Sequence, residues 1–262
     1  MFCNIKIFDF FSTKLFFFLH INKNYVYKYT KYKFNNLKYQ NILTGIILAG
    51  GQSKRLGLSK PKPLIKVGGK LLLSRVADSI RPLCKELILV VASDQKDDIP
   101  DLGIALGMHV ITDTKNFKGP LAGIHAGLSS SISPLSFVVG ADYPFISKKL
   151  IEKMLAISTS NFNKSYSAVI PKYNGFLHPL HSILPKIVWE KYILDELHKG
   201  ESSITKLISK SMENNLHKIE IINEKEIGLL DPMFMSLIDI DDKESLNFSR
   251  RIVEKRWDLK KN

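Results

Sequence analysis

Cysteine is scarce in this 262-residue chain: Cys3 and Cys84 stand far apart and in no CxxC pair. Such a count excludes a disulfide-built scaffold and a zinc knuckle, and a reducing cytoplasm is the expected compartment. Neither GxGxxG nor GxxxxGK[ST] occurs, so the dinucleotide-binding and Walker-type readings lose their main support. No internal repeat and no linker marks a second domain. The apolar stretch near the start is interrupted by Asp9 and Lys14. It is too short to span a bilayer and has no small-residue cleavage site after it, so neither an anchor nor a signal peptide is expected.

What remains is the composition of an ordinary globular protein, with 45% hydrophobic and 24% charged residues. The net charge of +13 points to an anionic partner, but the first 40 residues hold seven Lys and one Asp, leaving +7 for the rest. Those 40 residues are dominated by Phe, Tyr, Asn, Lys and Ile without an amphipathic period. Residues 1–42 are therefore expected to be an extension with no fold of its own, or a mis-started segment, ahead of one domain over 43–257.

From Thr44 onward, strand-like and helix-like runs alternate. GIILAG (45–50), ELILVVAS (86–93), MHVIT (108–112) and LSFVVGAD (135–142) are short β-branched runs. LLLSRVADSIRPL, GPLAGIHAGLSS and SKKLIEKMLAI carry apolar residues at helical spacing. Continuous apolar strands fit a parallel sheet covered on both faces. Further on, SAVIPKY and FLHPLHSIL flank Asn174-Gly175, a pair suited to a type I′ turn, which predicts an antiparallel hairpin. Helices around 186–199 and 202–214, a strand at HKIEII and a helix after Asp242 complete the reading. The expected class is α/β with a mostly parallel, mixed sheet.

In such sheets ligands sit at the carboxyl ends of strands. LAGGQSKRLG is a loop of that kind, where Gly50 and Gly51 let backbone N–H groups approach phosphate oxygens or a base edge. Arg55, Lys60 and Lys62 add positive charge, so a nucleoside triphosphate is the natural guest. Asp142, just after the apolar run FVVGA, is placed to hold a Mg²⁺ ion on phosphate oxygens, or else to begin a turn before Pro144. Asp113, ending HVITD, either accepts a ribose hydroxyl or caps a turn.

In their order, LAGGQSKRLG…KPLIKVGGK, D…KGPLAGIHAGL, GADYPFI, HPLHSIL, KGESS and DIDDKESL resemble the molybdenum cofactor guanylyltransferases. These belong to the Rossmann-like nucleotidyltransferases, and the likeness runs from about Gly45 to Leu246. It implies a single Rossmann-like three-layer domain that transfers GMP from GTP to molybdopterin, releasing pyrophosphate. It further implies nucleotide contacts at Leu48, Ala49 and Gly50, a phosphate-binding lysine at Lys62, GTP binding by Asp113 and Asp142, and Mg²⁺ on Asp142. Lys62 is chosen over Lys60 because it stands eight residues before Lys70. Transient contact with proteins that deliver the molybdenum cofactor, and with molybdoenzymes, goes with that role. Two stretches depart from the family pattern. Ala92-Ser93 replaces an Asn, and Asp239-Ile240-Asp241-Asp242 replaces NxNT. The carboxylates there either join Asp142 at the metal or begin the last helix.

Lys62, Arg55 and Asp142 are thus the expected catalytic residues, with Gly51 in the nucleotide loop. His178 and His181 have metal-like spacing, but i and i+3 on a strand point to opposite faces. Trp189, Tyr192 and Leu197 read as core, and RRIVEKRWDLKK as a solvated amphipathic helix. The rival enzymes are a cytidylyltransferase for the same cofactor and a sugar- or alcohol-phosphate nucleotidyltransferase. A nucleotide- or RNA-binding regulator ranks lower, because no basic stripe interleaved with aromatics follows residue 43. Neither nucleic acid nor a membrane is an expected partner.

Overall fold

The computed structural model describes residues 41–50, 57, 60–94, 98–113, 116–117, 119–160 and 165–258, the last four without their side chains. Gly51 and Arg55 lie outside the described residues. No helix among the described residues is long and apolar enough to cross a membrane.

The first apolar run forms β1 (Leu43–Leu48). A short antiparallel ribbon follows, β2 (Lys66–Val67) with β3 (Lys70–Leu71), leading into α1 (Leu72–Ile80). Next come β4 (Glu86–Val91), α2 (Ile99–Ala105), β5 (His109–Thr112), α3 (Pro120–Ser130), β6 (Leu135–Gly140) and α4 (Lys148–Ser158). The second part contributes β7 (Ala168–Tyr173), β8 (Phe176–Leu177), β9 (His181–Pro185), α5 (Lys186–His198), α6 (Ile204–Glu213), β10 (Ile219–Ile222), α7 (Glu224–Gly228) and α8 (Lys243–Asp258).

The main sheet runs β10-β7-β9-β6-β1-β4-β5, with β8 paired to β7. β1 is parallel to both β4 and β6, β4 to β5, and β7 to β10. β9 runs antiparallel between β6 and β7, which makes the sheet mixed. The predicted hairpin forms, with Asn174 and Gly175 at φ of 49° and 79° as a type I′ turn requires. Its return strand β8 is only two residues long, and the chain then steps across to insert β9 beside β6.

Period-two alternation sends neighbouring strand residues to opposite faces, and both faces are apolar and covered. Leu43 and Ile47 of β1, with Leu87 and Leu89 of β4, pack against α1 and α4. Ile46, Ile88 and Val138 face the other way, toward Leu121 and Ile124 of α3, Trp189 of α5 and Leu207 of α6. This is the expected three-layer arrangement, and Trp189 is fully buried core as its spacing suggested. A third, smaller cluster joins Leu246 of α8 and Ile240 to Ile65, Val67 and Leu72, bringing the last helix back over the ribbon after β1.

Candidate active site

The chain runs from β1 outward to β4 and β5, then returns to place β6 on the other side of β1. Such a reversal opens a crevice outside the carboxyl ends of the strands. A cavity of about 270 Å³ lies there. Leu48, Ala49 and Gly50 line it from the end of β1, Asp113 from the end of β5, Asp142 from the end of β6, and Lys62 from the segment after β1. Every nucleotide-site residue expected from the sequence, apart from the two outside the described set, therefore meets at one place. Lys60 is exposed and does not line the cavity.

Local structure explains each placement. Pro61 and Pro63 bracket Lys62 and favour the 3₁₀ turn Lys62–Leu64, closed by Leu64 N–H donating to Pro61 O at 3.0 Å. The lysine is only 9% exposed. Gly140 ends β6 because a Cβ there would collide with the Asp142 carboxylate and meet the Tyr143 ring at 3.2 Å. By contrast, a Cβ on Gly50 would make ordinary contact with Ala92 at 3.6 Å. Among the described residues nothing requires glycine at 50. At Asp113 one carboxylate oxygen accepts the Ser93 backbone N–H at 2.9 Å, which fixes the side chain at the cavity wall. Gly119 opens α3 at φ 85°, where a Cβ would sit 3.1 Å from Ser202 O, so the KGESS loop packs directly on the cavity rim.

The aspartates near the C-terminus divide their roles. In the loop Asp239-Ile240-Asp241, ahead of α8, Ile240 is buried in the third cluster while both aspartates are half-buried. Ile240 N–H donates to Asp142 O at 3.0 Å, locking that segment against the end of β6. Oxygens of Asp142, Asp239 and Asp241 consequently lie within 4.8 Å of one another. Asp242 instead caps α8, accepting Ser245 N–H at 2.8 Å. Asp242 thus begins the last helix, whereas Asp239 and Asp241 stand beside Asp142. The D-x-D spacing ahead of the last helix was the available signal.

Lys62 Nζ donates to Asp142 Oδ2 at 3.1 Å and to Asp241 Oδ1. Burial works to lower the Lys62 pKa, but its hydrogen bond to Asp241 and the charge of Asp142 raise it overall. Burial pushes the Asp142 carboxyl up, against the opposing pull of Lys62. Asp239 is also raised, first by burial and then by the charges of Asp142 and Asp241. Crowded, partly dehydrated carboxylates with hard oxygen donors are what a small divalent cation requires, and a lysine ammonium already stands in as their counter-charge. His178 is half-buried, and His181 is fully buried among Phe137 and Tyr143 with neither ring nitrogen hydrogen-bonded. They do not form a metal pair.

Comparison with known proteins identifies a family for this chain. The MobA-like NTP transferase domain family matches residues 45–214. A molybdenum cofactor guanylyltransferase of Desulfosudis oleivorans is 30% identical over 206 residues, covering 78% of this chain and 92% of that protein. Another from Pseudomonas putida is 32% identical over 144 residues, covering 55% of this chain and 70% of that protein. Among solved structures, the molybdopterin-guanine dinucleotide biosynthesis protein A of Archaeoglobus fulgidus superposes with a TM-score of 0.66 at 19% identity, covering 81% of this chain and 99% of that one. From its apolar β1 and glycine loop to the far end of α6, this chain belongs to the MobA-like NTP transferase family.

Proposed function

We propose that this chain transfers GMP from GTP to the terminal phosphate of molybdopterin, producing the guanine dinucleotide form of the molybdenum cofactor and pyrophosphate. The observation that carries the reading is the meeting of Lys62 with Asp142 and Asp241 in the crevice that Leu48, Ala49, Gly50 and Asp113 also line. The named relatives support GTP as donor and molybdopterin as acceptor. Mg²⁺ is the proposed cation, with Asp142, Asp239 and Asp241 to hold it.

A phosphate monoester oxygen is already anionic, so the reaction asks for no general base. It forms a bond from that oxygen to the α-phosphorus of GTP as the bond to the pyrophosphate oxygen breaks. The obstacle is charge, since one anion must approach another in line with a third leaving. Positioning and neutralisation supply the catalysis. Lys62 sets positive charge on the triphosphate, with Arg55 as a second proposed cation beside the leaving group. Asp113, held by Ser93 N–H, offers its remaining acceptor capacity to the nucleotide. When bound, Mg²⁺ polarises the α-phosphate and offsets its charge.

The test is to incubate the protein with each of the four NTPs, Mg²⁺ and molybdopterin, and to measure pyrophosphate. GTP alone should give product. CTP use without GTP use would replace the reading with the cytidylyltransferase, and salt-sensitive RNA binding without turnover would replace it with the regulator. A single free thiol at Cys84 among the described residues accords with work in a reducing cytoplasm.

A further inference from the structure

We propose that Lys62 is the resident counter-ion of the three-aspartate cage and leaves it when a triphosphate arrives, so that divalent cation and triphosphate bind as a coupled pair. The inference rests on the crevice accepting a triphosphate. It adds that the two ligands are linked through one side chain of the protein.

The geometry forces a choice on the lysine. Its ammonium lies on Asp142 and Asp241, and one carboxylate oxygen from each of Asp142, Asp239 and Asp241 lies within 4.8 Å of the other two. A divalent cation coordinated by these carboxylates would stand next to that ammonium, and like charges at such a separation repel strongly in a partly dehydrated site. The two cations therefore compete for one set of ligands. Lys62 has somewhere else to go, because it also lines the cavity where phosphates would sit, and its flexible four-carbon stem rises from a backbone set between Pro61 and Pro63. The triphosphate then takes the ammonium, and the vacated carboxylates take the cation. Each ligand removes what hinders the other, which is positive linkage.

Three variants test this by binding alone. Without nucleotide, Mn²⁺ affinity is read from the electron paramagnetic resonance signal of the free ion. Separately, inorganic tripolyphosphate is titrated calorimetrically in EDTA, so that no metal takes part. Lys62→Met should bind Mn²⁺ at least about tenfold more tightly than the parent. Asp241→Asn should bind Mn²⁺ more weakly yet bind tripolyphosphate several-fold more tightly, since the lysine has lost one of its holders. In the Lys62→Met/Asp241→Asn double variant that gain in tripolyphosphate affinity should vanish relative to Lys62→Met, which separates the exchange from a general loss of negative charge. Unchanged Mn²⁺ affinity in a folded Lys62→Met, or a gain from Asp241→Asn that persists without the lysine, would overturn the proposal. Even if Lys62→Met does not fold, an Asp241→Asn variant that bound tripolyphosphate no more tightly than the parent would overturn the proposal. No arm uses GTP or molybdopterin. A chain that failed the four-NTP assay but passed here would lose the proposed reaction and keep the linkage, and the converse result would do the opposite.

Discussion

Lys62 and Asp142 share one energetic signature and His181 carries another, and the two can be measured separately. For the transfer itself, Lys62→Ala or Asp142→Ala should lower kcat by about 10²–10³, equivalent to about 2.7–4 kcal/mol in the barrier, as for deletion of one preorganised electrostatic group. Initial rates of pyrophosphate release at saturating GTP check this. If purified, folded Asp142→Ala worked at the parent rate, the metal assignment would be wrong. A second signature belongs to His181, whose ring is fully buried and unpartnered. Burial, aided by the charge of nearby His178, lowers its pKa to about 3. Between about pH 6.5 and that value the unfolded chain binds a proton that the folded chain refuses, so stability falls on acidification across this window, by up to about 1.4 kcal/mol per pH unit. Urea midpoints as a function of pH should therefore drop less steeply for His181→Leu than for the parent. At this scale the placement of Asp113 and Asp142 in the crevice was legible because both stand just past strands, and that of Lys62 through the family resemblance that its distance from Lys70 carries. Asp239 and Asp241 stayed ambiguous because their partner lies across the fold, 179 positions away in the case of Lys62 and Asp241.

Among the elements, α3 is the one whose fit most directly shapes the crevice. Gly119, Pro120 and Gly123 line the cavity, and further along the helix Gly127 rests on β1, where an added Cβ would lie 2.5 Å from Ile46 Cγ2. Ile46 is fully buried and has no room to retreat. Gly127→Ala gains up to about 1 kcal/mol of helix propensity but incurs an overpacking cost of about 1–3 kcal/mol. The net effect should be a lower melting temperature by calorimetry, with α3 lifted from the sheet and weaker nucleotide binding. Elements with a clear period were legible: β1, β4, β5, β6, α1, α3 and α4 lie within a few residues of where the pattern put them. The ribbon β2–β3 was not, since two-residue strands carry no period. Neither was α2, a seven-residue helix with Pro100 near its start and Gly103 inside. The hairpin at Asn174-Gly175 was readable from turn chemistry, whereas the insertion of β9 between β6 and β7 depends on long-range pairing that no local signal encodes.

At the scale of the whole molecule, the described residues belong to the unit Tyr39–Asn262. We propose that residues 43–257 are the catalytic unit, so that a chain starting at Tyr39 keeps the melting temperature and kcat of the full protein while its net charge falls by six. A truncated chain that failed to fold or turn over would show that the first 38 residues are needed. Removing that charge should also reduce salt-sensitive retention on anionic surfaces without touching chemistry. The hydrogen bond from Ile240 to Asp142 has a consequence for synthesis. A chain still emerging from the ribosome could assemble every strand of its sheet, ending with Ile222, while its cation cage was still unfinished. Catalytic competence would then arrive with the last few dozen residues, and a transcript cut short there would yield a folded but inert protein.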